Sequence, residues 1–261
     1  MSESSVTVTR RGRVLHAELD RVAKRNSLDR SMLDDLHAAL DEAESGGFGV
    51  LVISGAGGVF CAGADLATYA RAIDDLGALG DFGHRAKTLM HRLARSSVIV
   101  VASVDGVAMG GGFELVLSSD IVIATKRARF GLPEIRLGLI PGWDGTQRLA
   151  RHIGPNRAKE AIMLASVLSA TELAAAGLVN RLVEDEELAA VTSTVADSLA
   201  AQAPLALAAA KRAITAAVEP DVESAGSEQE TRELLALFAS DDGREGITAF
   251  LEKRPAEFSG S

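Results

Sequence analysis

The sequence predicts an α/β protein with a mostly parallel sheet. Short continuous apolar runs, GVLVISG (49–55), VIVVASV (98–104) and DIVIAT (120–125), have the look of strands covered on both faces. Between them lie stretches with apolar residues at helical spacing, so strands and helices alternate along the chain.

The individual elements follow in order. SVTVTRRGRVLHAELD alternates around Gly12 and predicts a hairpin of 6–10 with 14–19. Leu28, Met32, Leu36 and Leu40 recur at helical spacing, and Gly46-Gly47 ends that helix. Residues 67–83 are weakly amphipathic and interrupted by glycines, which suits a mobile segment near a site. From Pro155 onward the pattern is helical apart from a brief strand in GLVNRLV. The tail reads as three successive helices, in ALAAAKRAITAAV, ETRELLALFAS and GREGITAFLEKR. No internal sequence repeat is visible.

Composition narrows the class. The 261 residues suit one large domain or a domain with an appendage. Aromatics make up only 4%, so small and branched aliphatics are expected to build the core. A net charge of −9 argues against a general nucleic-acid or anionic-membrane surface, while leaving room for a local basic pocket. One cysteine, Cys61, permits no intrachain disulfide and fits a reducing compartment. The N-terminus has no apolar signal region and no stretch is long enough to span a bilayer, so a soluble, cytoplasmic protein is expected.

Two glycine-rich loops each follow a strand. The first is ISGAGGVFCAGADL (53–66), with Asp65 placed where a helix would begin. The second is VDGVAMGGGFEL, where Gly110-Gly111-Gly112 opens a helix with Glu114 in its first turn. Glycine lets backbone approach a ligand, and a helix N-terminus adds free N–H groups. Phosphate binding fits poorly, because the lysine and hydroxyl of a P-loop are missing and neither loop has a dinucleotide fingerprint. Glu114 would also repel a phosphate, by about 4 kcal/mol at close range in an intermediate dielectric. An N–H cradle beside a proton-moving carboxylate suits a transient anion instead, as in an oxyanion hole with a general acid/base. The bland alternative is that both loops are tight turns. A second carboxylate, Glu134, sits among Leu132, Ile135 and Leu137. Two carboxylates in apolar surroundings have raised proton affinities and can serve as acid and base near neutral pH, unless Glu134 simply caps a surface turn.

These stretches, together with KRNSL (24–28), FGLPEIRLGLIPG (130–142), GTQRLARHIG (145–154), AAAGLVNRLV (174–183) and REGITAFLEKR (244–254), resemble the crotonase superfamily, specifically its enoyl-CoA hydratases. The resemblance implies a spiral of ββα units over residues 1–200. It also implies a helical C-terminal region, 201–261, used for assembly into a homotrimer or a hexamer built as a dimer of trimers. It places an oxyanion hole at the N–H groups of Ala64 and Gly111. It makes Glu114 the base that activates a water for attack at Cβ, Glu134 the donor to Cα, and Gly142 a holder of that water. Ala62 would face the adenine of coenzyme A, with Asp65 and Leu66 beside it, and Phe250 and Lys253 would meet the adenosine and phosphate end, often from a neighbouring subunit. Coenzyme A enters as part of the substrate; no separate cofactor, metal or nucleic acid is implied.

The sequence also departs from the hydratase pattern. Trp143 and Asp144 stand where hydratases have small residues. Trp143 either narrows the acyl pocket or packs outward, and Asp144 is either the N-cap of the next helix or a third carboxylate in the site. Leu132 replaces a frequent glutamine, and Ala67 a phosphate-contacting lysine. His84 and His91 read as helix-surface residues, Cys61 as a small packed hydrophobe. The favoured activity is hydration of a 2-trans-enoyl-CoA. The alternatives are isomerisation, decarboxylation or hydrolysis through the same enolate, or a non-catalytic acyl-CoA- or RNA-binding protein.

Overall fold

In the computed structural model, which describes residues 5–218 and 225–259, the chain opens with the expected hairpin. Strands β1 (Val6–Arg11) and β2 (Val14–Leu19) pair antiparallel, from Val6 with Leu19 to Arg11 with Val14. Helix α1 (Arg30–Ser45) follows, its first turn capped by the Asp29 side chain, which accepts from the Met32 N–H at 2.9 Å. Met32, Leu33, Leu36 and Leu40 are buried along one face, as the spacing predicts.

The remaining strands are β3 (Val50–Gly55), β4 (Ile99–Val104), β5 (Val107–Met109), β6 (Ile121–Thr125), β7 (Arg129–Gly131), β8 (Leu168–Ser169) and β9 (Arg181–Val183). They form two sheets. The larger has the order β1-β2-β3-β4-β6-β9 and is parallel from β2 onward; the smaller is β5-β7-β8. After β3, β4 and β6 of the large sheet the chain crosses toward the small one and then enters a helix. From β3 it passes the Cys61–Ala108 bridge into α2 (Leu66–Arg71), and α3 (Leu76–Arg95) returns it to β4. From β4 it passes β5 into α4 (Gly111–Leu117), and from β6 it passes β7 and a single turn (Glu134–Leu137) into α5 (Gly145–Ile153). This is the ββα spiral, built without any repeat visible in the sequence.

Helices α6 (Pro155–Met163), α7 (Ala170–Ala175) and α8 (Leu188–Ala200) complete this part of the chain. The large sheet is covered on both faces. Leu15, Ile53, Val100 and Val122 pack in the same core as α1 and α3; Val14, Val52, Val101 and Ile123 pack with Ala196 of α8. Burial of alternate residues on opposite sides is why these strands read as unbroken apolar runs.

The segment 67–83 is helical across α2 and the start of α3, and Ala67 and Tyr69 bring it to the main cavity. Its apolar residues are few but large and well placed. Tyr69, Leu79 and Phe82 are buried, and Tyr69 meets Phe82 and Phe238 edge-on at 5.6 and 5.0 Å. The tail forms the three expected helices, α9 (Pro204–Val218), α10 (Ala225–Ala239) and α11 (Asp241–Glu252). The last two return to the body of the fold, where Leu234, Phe238 and Ala249 line the main cavity. Among the described residues no helix is long and apolar enough to cross a membrane.

Candidate active site

Both glycine loops end at one cavity of about 600 Å³, within the range usual for small-molecule sites. Ala62, Ala64, Asp65, Leu66, Gly111, Glu114, Glu134, Gly142, Trp143 and Phe250 all line it. Lys253 does not. It caps the C-terminus of α11 in a left-handed conformation and is exposed. The cations that reach the cavity from this chain are Lys24, Arg136 and Arg254, none singled out by sequence. Arg254 is already paired, with Glu245 at 2.6 and 2.8 Å.

The first loop is pinned by main-chain bonds. The Leu28 N–H donates to Gly63 O, and the Asp65 N–H to Leu28 O, each at 2.8 Å, which leaves the Ala64 N–H outside that bridge. The Asp65 side chain accepts from the Ala67 N–H at 3.1 Å and from Arg21 at 3.0 Å, so it starts α2 as predicted. The Gly111 N–H belongs to the first residue of α4 and has no partner within the helix.

The three consecutive glycines answer to three different neighbours. Gly110 has φ +50°, and a Cβ there would lie 2.8 Å from Glu134 Oε1. At Gly111 a Cβ would lie 1.9 Å from the Trp143 ring, and at Gly112 2.4 Å from the Cys61 carbonyl oxygen. The triplet is therefore a packing requirement at the start of α4.

Glu114 is 2% exposed. Its Oε1 accepts the N–H groups of Trp143 and Gly145, each at 2.8 Å. Burial pushes its carboxyl well above the usual range, the charges of Glu134 and Glu230 push it further, and the two main-chain donors oppose this. Glu134 sits on the turn after β7. Its Oε2 is buried with no hydrogen-bond partner in the protein. Burial is the main cause that raises its carboxyl to about 7. Two carboxyls with raised proton affinity thus face one cavity beside a helix N-terminus.

Trp143 lies on the inner wall, 2% exposed, its ring over Gly111 and edge-on to Phe82 at 5.8 Å. It both packs in the core and narrows the pocket. Asp144 occupies the N-cap position of α5, as one expectation had it, but its side chain does not cap the helix, and it does not line the cavity. It takes φ +71°, and its carboxylate turns away to Lys87 at 3.0 Å, Ser227 at 2.7 Å and His91. Burial would raise its carboxyl, but His91, Lys87 and Ser227 together hold it well below the usual range. His91 is consequently part of a buried ion cluster rather than a plain surface residue.

The cap of α5 is Glu230, which sequence reasoning missed. Only 3% exposed, it accepts the Asp144 N–H at 2.7 Å, the Thr146 N–H at 3.2 Å and the Thr146 hydroxyl. A signal was present, since Glu230, Leu234 and Phe238 recur every four residues and share one helix face. Cys61 packs as expected, and burial pushes its thiol up to about 12. Among the described residues no group of His, Cys, Asp and Glu has the placement to hold a metal ion.

Residues 9–261 match the profile of the enoyl-CoA hydratase/isomerase family. The 2,3-dehydroadipyl-CoA hydratase of Escherichia coli is 38% identical over 258 residues, covering 98% of this chain and 99% of that protein. The short-chain-enoyl-CoA hydratase of Clostridium acetobutylicum is 34% identical, with 98% of both chains covered. Among solved structures, a carnitinyl-CoA hydratase from Mycobacterium avium superposes with a TM-score of 0.86 at 31% identity over the full length of both chains. The chain belongs to the enoyl-CoA hydratase/isomerase family.

Proposed function

We propose that the protein is an enoyl-CoA hydratase, adding water across a 2-trans-enoyl-CoA to give the 3-hydroxyacyl-CoA. The observation that carries this is the pair of Glu114, buried, and Glu134, whose Oε2 is buried, at one cavity beside the Gly111 helix start. The thioester oxygen is assigned to the N–H groups of Ala64 and Gly111, where developing enolate charge meets two donors and the end of a helix dipole. Burial raises the proton affinity of both carboxyls, so the pair can hold a proton near neutral pH. Two main-chain donors stabilise Glu114 when it is the anion, so it takes the water proton as the oxygen attacks Cβ. Glu134, whose Oε2 has no donor from the protein, suits the protonated member that delivers to Cα. Asp144 offers no third carboxylate here, which removes one reason to favour other enolate chemistry.

Crotonyl-CoA should lose its conjugated thioester absorbance with this enzyme, and mass spectrometry should show a product heavier by one water. Folded protein that leaves crotonyl-CoA and longer 2-enoyl-CoA esters unchanged would overturn the assignment. A cytoplasmic homotrimer or dimer of trimers accompanies this reading. It is supported by apolar side chains left exposed toward the C-terminus, Leu205, Ile214, Leu251 and Phe258. Light scattering should give the mass of three or six chains, and a monomer would refute it.

A further inference from the structure

Glu230 and Lys87 are buried charged groups outside the hydration step. Helix α5 opens with backbone N–H groups that have no helical partner. These are dealt out alternately to two acids. Trp143 and Gly145 donate to Glu114, while Asp144 and Thr146 donate to Glu230. One short piece of backbone therefore holds a cavity carboxylate with one set of donors and a buried outer carboxylate with the other. The outer one is anchored by Lys87, whose Nζ lies 3.4 Å from Glu230 Oε1. Lys87 also donates to Thr231 Oγ1 at 2.8 Å and Ser227 O at 2.9 Å, and pairs with Asp144 at 3.0 Å. Main-chain N–H groups, a hydroxyl and an ammonium all point at Glu230, a donor set that favours its anionic form, although burial and the Asp144 charge leave its carboxyl above the usual range.

We propose that Glu230 is a positioning residue for the hydration step. It holds the α5 N-terminus that fixes Glu114, as a buried acid anchored by Lys87. This rests on the two-glutamate reading above. The charged and titratable groups around it are Lys87 and His91 on α3, Asp144 just before α5, Glu114 on α4, Glu134 on its turn and Tyr69 on α2. After burial, the Glu230 charge is one of the causes that raise both cavity glutamates.

The test compares pH profiles of kcat/KM for crotonyl-CoA in wild type, Glu230→Gln, Glu230→Asp and Lys87→Met. Removing the negative charge makes the pair easier to ionise, so Glu230→Gln should move the profile to lower pH by roughly half a unit or more. Lys87→Met should move it to higher pH, and Glu230→Asp should keep the wild-type position. A loss of kcat of roughly tenfold is expected in Glu230→Gln through the misplaced Glu114. Lower kcat with an unmoved profile would reduce Glu230 to a structural cap and overturn the proposal. Infrared titration of the buried carboxyl band, assigned by its loss in Glu114→Gln and Glu134→Gln, needs no turnover. Its midpoint should fall in Glu230→Gln, and an unchanged midpoint overturns the proposal. Wild-type hydration rates in Glu114→Gln would instead sink the two-glutamate reading and leave the infrared result standing.

Discussion

Glu134→Gln should lower kcat for crotonyl-CoA hydration by roughly 10²–10⁴-fold, the usual worth of a positioned general acid or base. The amide keeps the shape but cannot deliver a proton to Cα. Because the amide is isosteric with the carboxyl, the affinity for the CoA ester should change little. Glu114→Gln should cost a similar factor, because glutamine still accepts from Trp143 and Gly145 yet cannot take a proton from water. Rates near wild type in either variant refute the mechanism. A stability effect accompanies the change. The folded Glu134 carboxyl titrates at about 7, above its ordinary 4.5, so the native state holds that proton more tightly. This contribution to stability is complete below about 4.5 and is lost as the pH rises through about 7. In Glu134→Gln the urea midpoint should therefore fall less steeply with pH across that window.

Gly111→Ala should damage both folding and catalysis, and Trp143 is the reason. The new methyl would sit 1.9 Å from the Trp143 Cζ3 and 2.6 Å from its Cε3. The ring cannot retreat, being buried and backed by Phe82. Overpacking of this kind costs about 1–3 kcal/mol, occasionally more. Displacing the start of α4 also shifts the Gly111 N–H, and loss of one oxyanion donor costs about 2.7–4 kcal/mol in the transition state. The same substitution made in Trp143→Ala protein should be neutral or slightly stabilising, because the ring is gone and Gly111 itself has no positive φ. Additive stability losses in that double-mutant cycle would refute the contact.

Much of this was legible along the chain. The strand runs, the amphipathic α1 and the three tail helices are local patterns, and local patterns are what a sequence displays. The two glycine loops and both cavity glutamates stood beside their strands and turns, so their chemistry was readable from neighbours a few residues away. In residues 67–83 the glycines were legible, but not that Tyr69 would meet Phe238 from the C-terminal helices, a contact between residues far apart in the chain.

What the sequence by itself determined was the ββα order, the family and the identity of the two carboxylates. The tertiary structure alone decided how those groups are held. Glu230 lies 86 residues from the backbone it caps, and Lys87 lies 140 from the Ser227 carbonyl it meets. Trp143 explains Gly111 only once α4 and α5 are packed together. Hydrogen bonds and steric contact act over a few ångströms in space, whatever the separation along the chain. A motif thus announces the two cavity carboxylates, and folding supplies the distant neighbours that hold them.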